Sequence, residues 1–172
     1  MVFQDPHSAL NPRLNILRII SEPLVIHANF RRSELKDRVV ELLEIVGLNS
    51  QFLFRFPHEL SGGQKQRFAV AASLVNDPEL VILDEPTTGL DPSSRKDLWE
   101  VIGELVRDGM TVLITTHYLE EADRLSDHII VIDHGAIIAE GTSNDLKSNL
   151  GAIIIQVTLA DEEQAIRTRS VL

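Results

Sequence analysis

Two stretches of the sequence combine residue types that handle phosphate groups, and the first is LSGGQ at residues 60–64. An alanine-rich segment with helical character follows it. The N-terminus of a helix offers free N–H groups and the positive end of its dipole, glycines allow close approach, and the Ser61 hydroxyl adds a donor. The stretch predicts an anion-binding turn. Taken alone, the stretch is more simply explained as a tight turn capped by serine.

The second stretch is an apolar run, residues 80–83, that ends in Asp84 and Glu85. It predicts a buried strand whose carboxyl end, where ligands bind in open α/β sheets, carries both carboxylates. Asp84 suits Mg²⁺, directly or through water, and Glu85 suits a water that attacks a phosphate. A further strand pattern at 111–116 delivers His117 to the same edge. A solvated acidic loop is the alternative.

The segments around these residues alternate between helix and strand patterns. Asp91 can cap a helix that has Pro92 in its first turn and Gly109 as its stop. The predicted elements are helices at 62–75, 91–109, 118–125 and 142–150 and strands at 80–83, 111–116, 128–133 and 136–140. The alternation predicts an α/β fold with right-handed crossovers and a mostly parallel sheet, finished by a hairpin at residues 133–135.

The segment before residue 60 has a helical pattern. Residues 12–28 are expected to form a helix in two pieces broken near Pro23, and the next helix is expected to be capped by Ser33 and to end at Gly47. Four parts are predicted along the chain: a strand remnant at 1–4, a helical unit at 5–60, an α/β part at 61–150 and the start of a further segment at 151–172. The last part is predicted to contain a strand at 152–159.

Composition excludes several classes of function. The chain has 172 residues, a net charge of −10 and no cysteine. An acidic chain is a poor nucleic-acid binder, and a chain without cysteine has neither disulfides nor thiolate metal sites. No apolar run reaches the ~20 residues that cross a bilayer, and the first residues lack the features of a signal peptide. A membrane role is therefore expected to be peripheral.

In this order the motifs resemble those of the ATPase subunit of ATP-binding-cassette (ABC) transporters, over nearly the whole chain. The correspondences are Gln4 with the family's Q-loop glutamine, residues 60–64 with its LSGGQ signature, residues 80–85 with its Walker B strand and catalytic glutamate, residues 88–91 with its D-loop, and His117 with its switch histidine. The resemblance implies a P-loop NTPase (RecA-like) fold in which the helical unit is the helical subdomain.

The resemblance also implies a site for ATP and Mg²⁺ between two ATPase subunits paired head to tail. Ser61, Gly62 and Gly63 would bind the γ-phosphate of ATP held by the opposite subunit. The other implied nucleotide-binding residues are Gln64, Gln4 and Asp91, of which Asp91 would signal across the interface. Glu85 would polarise the attacking water and His117 would hold the γ-phosphate. Asp84 and Gln4 would serve Mg²⁺.

The implied partners are a second ATPase subunit and membrane-spanning subunits, which Gln4 and the helical unit would face from the cytoplasmic side of the membrane. No nucleic-acid partner is expected. The stretches at 2–12 and 57–67 look like oligopeptide-type importers, whereas those at 74–92 and 115–142 look more like daunorubicin-type drug exporters. The transported solute is therefore open.

One part of the family pattern is absent from the sequence. The loop G-x-x-x-x-G-K-[ST], which cradles the β- and γ-phosphates, should precede Gln4, yet none of the nine glycines is followed by lysine. The Walker A strand and loop are thus lacking, as is the aromatic residue on which adenine stacks. The expectation is a fragment of a transporter ATPase that binds and hydrolyses ATP poorly alone.

Two other functions stay open at this point. One is a non-catalytic partner that supplies the LSGGQ motif in trans to a complete ATPase. The other is a soluble ATPase of this superfamily that acts on nucleic acid or the ribosome. The acidity of the chain and its single cassette disfavour the second.

Overall fold

The computed structural model describes residues 1–2, 10–27 and 32–149. Gln4 and the predicted strand at 152–159 lie outside the described residues. The chain divides into two compact units, Met1–Leu125 and Ser126–Leu172, and the predicted domain boundaries stay a prediction.

The first unit begins with two helices, α1 (Ile16–His27) and α2 (Arg32–Ile45). The predicted break near Pro23 is wrong, because α1 continues through it. Proline removes one helical hydrogen bond, but the fully buried stripe of α1 keeps the helix intact, a stripe formed by Ile16, Ile20 and Leu24.

The two ends of α2 compare differently with the sequence prediction. Ser33 lies inside the helix, which begins at Arg32, and not at its N-cap. The predicted stop at Gly47 is confirmed: its φ is +67°, and the N–H of Leu48 donates to the Leu43 carbonyl oxygen at 2.8 Å. A glycine in the left-handed region closes the C-terminus of a helix without the steric cost of a Cβ.

Three further helices complete the first unit, after short 3₁₀ turns at Ser50–Phe52 and Pro57–Glu59. They are α3 (Gly62–Ser73), α4 (Pro92–Arg107) and α5 (Leu119–Leu125). They pack on a core whose largest fully buried side chains include Phe68, Leu83, Leu98 and Ile102.

Two parallel strands lie in this unit, β1 (Leu80–Asp84) and β2 (Thr111–Thr115). They pair in register, so that Asp84 stands opposite Thr115 at the carboxyl end of both strands. On β1 Val2 adds a parallel bridge to Leu83, and its carbonyl oxygen accepts the N–H of Asp84 at 3.0 Å. The predicted parallel pairing is confirmed, and it sets the two strand ends at one level.

The second unit contains the antiparallel hairpin of β3 (Ile129–Asp133) and β4 (Ala136–Gly141), followed by α6 (Ser143–Asn149). The turn residues His134 and Gly135 both have positive φ, as two-residue hairpin loops require. Thr142 accepts the N–H of Asp145 at 3.2 Å and so caps α6. The predicted hairpin and the predicted cap are both confirmed. Among the described residues of the chain, no helix has the length and apolarity to cross a membrane.

Candidate functional site

The register of β1 and β2 brings the Asp84 carboxylate and the Glu85 backbone N–H against one threonine. The Thr115 hydroxyl donates to Asp84 Oδ1 at 2.5 Å, and the N–H of Glu85 donates to the carbonyl oxygen and the hydroxyl of Thr115, at 3.0 and 3.1 Å. Thr115 therefore fixes the Asp84 side chain and the Glu85 backbone together. This role of Thr115 was not predicted from the sequence, because it depends on the register in which β1 and β2 pair.

The Glu85 carboxylate has two side-chain partners on one oxygen. The Thr88 hydroxyl donates to Glu85 Oε2 at 3.0 Å, and His117 Nδ1 lies 3.2 Å from the same oxygen. The side chains of Glu85 and His117 remain 30% and 54% exposed, so water reaches both. We call Asp84, Glu85 and His117 the carboxylate cluster. It lies at one edge of the β1–β2 pair, as the sequence predicts.

Glu85 also has an unusual backbone conformation. Its φ is +44°, in the left-handed region that residues other than glycine rarely adopt. Among the described residues, Asp77 and His134 share this feature, with φ of +45° and +46°. The conformation costs about 1–2 kcal/mol for a residue with a Cβ and is found preferentially at functional sites. At Glu85 the strained backbone therefore lies within the carboxylate cluster itself.

The carboxylate cluster offers a place for a Mg²⁺ that arrives with phosphate. In the described part of the chain, no group of three or more His, Cys, Asp or Glu residues could hold a metal ion. Mg²⁺ in nucleotide sites commonly takes one or two carboxylates and completes its shell with water and phosphate oxygens. Asp84, fixed by Thr115, offers such a carboxylate. The sequence contains no Gly-Lys loop to cradle the β- and γ-phosphates of a nucleotide.

A second group of predicted residues lies at the start of α3. Ser61 is the N-cap: its hydroxyl oxygen accepts the N–H of Gln64 at 3.3 Å, while Gln64 Oε1 accepts the N–H of Ser61 at 3.0 Å. This reciprocal capping box uses the Gln64 side chain to close the helix end. Ser61 and Gly62 are exposed, so the N-terminal face of α3 is open to an incoming anion.

Gly63 has a packing role that was not predicted from the sequence. It is buried, and a Cβ built on it would lie 2.6 Å from both Cβ and Oγ of Ser94 in α4. A Cβ on Gly62 would meet only Leu90 Cδ2, at 3.7 Å. Leu90 and Ser94 flank Asp91, so the glycines of α3 and the cap of α4 meet in one corner.

Asp91 caps α4 as predicted. Its carboxylate accepts the N–H of Ser94 at 3.0 Å. The hydroxyl and then the N–H of Ser94 hold the pKa of Asp91 below its usual value of 3.8, because both donate to the ionised form. The predicted N-cap is therefore confirmed, whereas its signalling role stays a prediction.

We expect the stability of the protein to fall in acid partly through Asp91. A carboxyl group with a lowered pKa stabilises the fold above its unfolded value near 3.8, and this contribution is lost as the pH falls through the folded pKa. Urea unfolding at pH values from about 6 to 2.5 should show the wild type losing stability that Asp91→Asn does not lose. Ser94→Ala should lose less stability in acid than the wild type does, because it removes one of the two hydrogen bonds that lower the pKa of Asp91. A loss equal to that of the wild type would contradict this role of Ser94.

The arrangement matches a known family. The profile described as "ABC transporter" matches residues 1–88. The chain belongs to the ABC transporter family. The β1 edge with its carboxylates and the glycines that open α3 both lie inside the matched region.

The relatives of this chain include ATP-binding proteins named for drug resistance and for oligopeptide transport. The chain is 46% identical over 137 residues to the daunorubicin/doxorubicin resistance ATP-binding protein of Streptomyces peucetius, covering 80% of this chain and 41% of that protein. It is 41% identical over 151 residues to the oligopeptide transport ATP-binding protein of Bacillus subtilis, covering 87% of this chain and 50% of that protein. The chain thus spans half or less of the length of these two relatives.

Solved ABC cassettes share the fold. A dimeric bacterial ABC transporter cassette superposes with a TM-score of 0.71 at 32% identity, covering 82% of this chain and 61% of that one. A protein of Clostridium perfringens described as part of an ABC transporter complex superposes with a TM-score of 0.76 at 27% identity, covering 99% of this chain and 62% of that one. The fold class is therefore that of the P-loop NTPase cassette.

Proposed function

We propose that this chain provides the signature motif and the water-activating residues of an ATP-hydrolysing ABC transporter subunit. The subunit would use ATP with Mg²⁺ and act at the cytoplasmic face of a membrane, against membrane-spanning subunits and a second ATPase subunit. The observation that carries the proposal is the carboxylate cluster, in which Glu85 is held by Thr88 and His117 beside an Asp84 fixed by Thr115. The family membership of the chain supports it.

The cluster has the residues needed to activate water next to a phosphoryl group. Glu85 is exposed enough to accept a proton from water or to orient it, and its second partner, His117, can donate a hydrogen bond to a phosphate oxygen. Bound Mg²⁺·ATP would supply the phosphoryl group, and the charge of its Mg²⁺ would offset the negative charge of the phosphate. Two adjacent carboxylates repel a bare phosphate, so Asp84 needs the cation for the site to work.

The turn at residues 61–63 suits a phosphate that another subunit holds. Ser61 and Gly62 are exposed at the positive end of α3, and the Ser61 hydroxyl, which accepts from Gln64, still has its own proton to donate. Since this chain has no Gly-Lys pair, we propose that it binds ATP poorly alone. A solute of drug-like or peptide-like chemistry fits the names of its relatives.

A titration of the isolated chain tests the affinity part of the proposal. We expect a fluorescent ATP analogue with Mg²⁺ to bind with a Kd above about 1 mM, which is a binding free energy no more favourable than about −4 kcal/mol. Phosphate release should be indistinguishable from buffer. Micromolar binding with Mg²⁺-dependent turnover would contradict poor binding by the isolated chain.

Hydrolysis by an assembly tests the catalytic part. The tagged chain would be expressed in its own host, and the membrane complex that co-purifies would be assayed for phosphate release. Glu85→Gln should lower the rate about 10²–10⁴-fold. Asp133→Asn is the matched control, because Asp133 also ends a strand and lies 2.9 Å from a histidine, His134, in the hairpin. It should leave the rate unchanged.

The same assay distinguishes the catalytic proposal from the alternative that this chain is a non-catalytic partner. In that alternative a complete partner subunit would hold both the phosphates and the water, and this chain would supply Ser61, Gly62 and Gly63. Loss of activity with Ser61→Ala but not with Glu85→Gln would establish it in place of the catalytic proposal. Failure of any ATPase to co-purify would contradict both.

A further inference from the structure

A stack of three side chains leads from α4 to the carboxylate cluster. The guanidinium carbon of Arg95 lies 4.4 Å from the centroid of the Tyr118 ring. The Tyr118 ring in turn lies against the His117 imidazole, with centroids 4.1 Å apart and planes tilted by 39°. His117 Nδ1 is the atom that approaches Glu85 Oε2 at 3.2 Å. A continuous series of contacts therefore connects the Arg95 guanidinium, through the rings of Tyr118 and His117, with the Glu85 carboxylate.

Tyr118 is fixed by its backbone as well as by its ring. Its N–H donates to the Thr116 hydroxyl at 3.0 Å, and its carbonyl oxygen accepts the N–H groups of Glu121 and Ala122 at the start of α5. The ring is half-buried, whereas the neighbouring His117 is exposed. The backbone that carries the Tyr118 ring is thus held at two points beside the His117 imidazole.

Arg95 depends on the ring for its placement. Its Nε atom is buried and, within the described residues, has no hydrogen-bond partner, so the cation–π contact replaces a hydrogen bond there. The N–H of Arg95 donates to the Asp91 carbonyl oxygen at 3.0 Å in the first turn of α4. The stack therefore starts one helical turn from the predicted D-loop aspartate.

We infer that Arg95 and Tyr118 are positioning residues that hold the imidazole of His117 against Glu85 and tie it to the first turn of α4. The inference rests on the proposed function for its consequence, since His117 matters only if the cluster activates water. Its physical content does not depend on ATP. The Arg95 charge holds the Tyr118 ring, and the ring limits the rotation of the imidazole.

Nuclear magnetic resonance on the full chain tests the inference without nucleotide. The Hδ2 and Hε1 signals of His117, assigned by their loss in His117→Gln, should be displaced from the values of a free histidine by the Tyr118 ring current. Arg95→Gln, which removes the charge at similar length, should lose most of that displacement. Arg95→Lys and Tyr118→Phe, which retain the cation and the ring respectively, should keep it.

The chain offers a matched control for the charge change. Arg124 also stands over an aromatic ring, with its guanidinium carbon 5.3 Å from the centroid of Trp99, and belongs to the same unit. Arg124→Gln should leave the His117 signals in place. Equal displacement by Arg124→Gln and Arg95→Gln, or none by Arg95→Gln, would overturn the inference.

A second measurement decides the matter if Arg95→Gln does not fold. The Arg95 side-chain N–H signal should be shifted upfield by the ring in the wild type, and Tyr118→Leu should abolish that shift. A wild-type Arg95 signal at the position of a free arginine would also overturn the inference.

An activity arm then separates this inference from the proposed function. In the co-purified complex, Arg95→Gln should lower kcat about tenfold, about 1.4 kcal/mol in the barrier, with little change in KM. If the wild-type complex hydrolyses no ATP, the proposed function fails, whereas the resonance data still decide the stack. A change in KM alone, with kcat unchanged, would contradict a positioning role.

Discussion

Replacing Glu85 with glycine is expected to raise the free energy of unfolding by about 0.5–1 kcal/mol while lowering hydrolysis by the assembled complex at least about 100-fold. Glycine removes the strain of a φ of +44°, and this gain exceeds the loss of the half-exposed contacts with Thr88 and His117. Urea unfolding of the isolated chain and phosphate release by the complex measure the two effects separately.

Matched variants isolate the backbone from the carboxylate. Glu85→Gln keeps the strained backbone, so it should lose activity without gaining stability. Asp77→Gly and His134→Gly remove the same strain at φ of +45° and +46°, and should gain stability without losing activity. A Glu85→Gly variant that unfolds more easily than Glu85→Gln would contradict the left-handed conformation at this residue.

Replacing Gly63 with alanine is expected to lower the free energy of unfolding by about 1–3 kcal/mol. The added Cβ would lie 2.6 Å from Cβ and Oγ of Ser94, a separation that forces α3 and α4 apart. Thermal or urea unfolding of the isolated chain measures the loss. No ATP is needed, so the result tests packing and not phosphate binding.

Two further variants complete a double-mutant cycle for this contact. Gly62→Ala is the control, because its nearest neighbour would be Leu90 Cδ2 at an ordinary 3.7 Å, and its stability should stay close to that of the wild type. Ser94→Gly should cost about 1 kcal/mol alone as a glycine in a helix, yet recover most of the loss when it is combined with Gly63→Ala. Purely additive losses would show that the two residues do not touch.

Features that depend on neighbours in sequence were predictable. Asp91 and Thr142 cap helices, and Gly47 ends one, because each acts through backbone groups within a few residues. The end points of two strand patterns also sufficed to place Glu85 and His117 at one edge. The resemblance to a family supplied roles for these residues that no local pattern contains.

Features that depend on register and packing were not predictable. Thr115 bridges Asp84 and Glu85 only because β1 and β2 pair without a shift, and Arg95 reaches Tyr118 only through the placement of α4 beside the strand ends. The helix through Pro23 shows the same limit, since buried contacts decided against a strong local signal. Sequence patterns identify donors and acceptors, but tertiary geometry selects their partners.

The β3–β4 hairpin has a consequence for the colloidal behaviour of the isolated chain. Its isoleucines are largely uncovered, with Ile130, Ile132, Ile137 and Ile138 exposed by 52%, 66%, 61% and 62%. Such apolar strands attract one another in water, and the formal net charge of −10 at pH 7 opposes that attraction between copies. That repulsion vanishes near the isoelectric point of about 5.0, so copies should begin to adhere as the solution approaches it. Buffers near pH 5 would therefore precipitate a protein that is still folded.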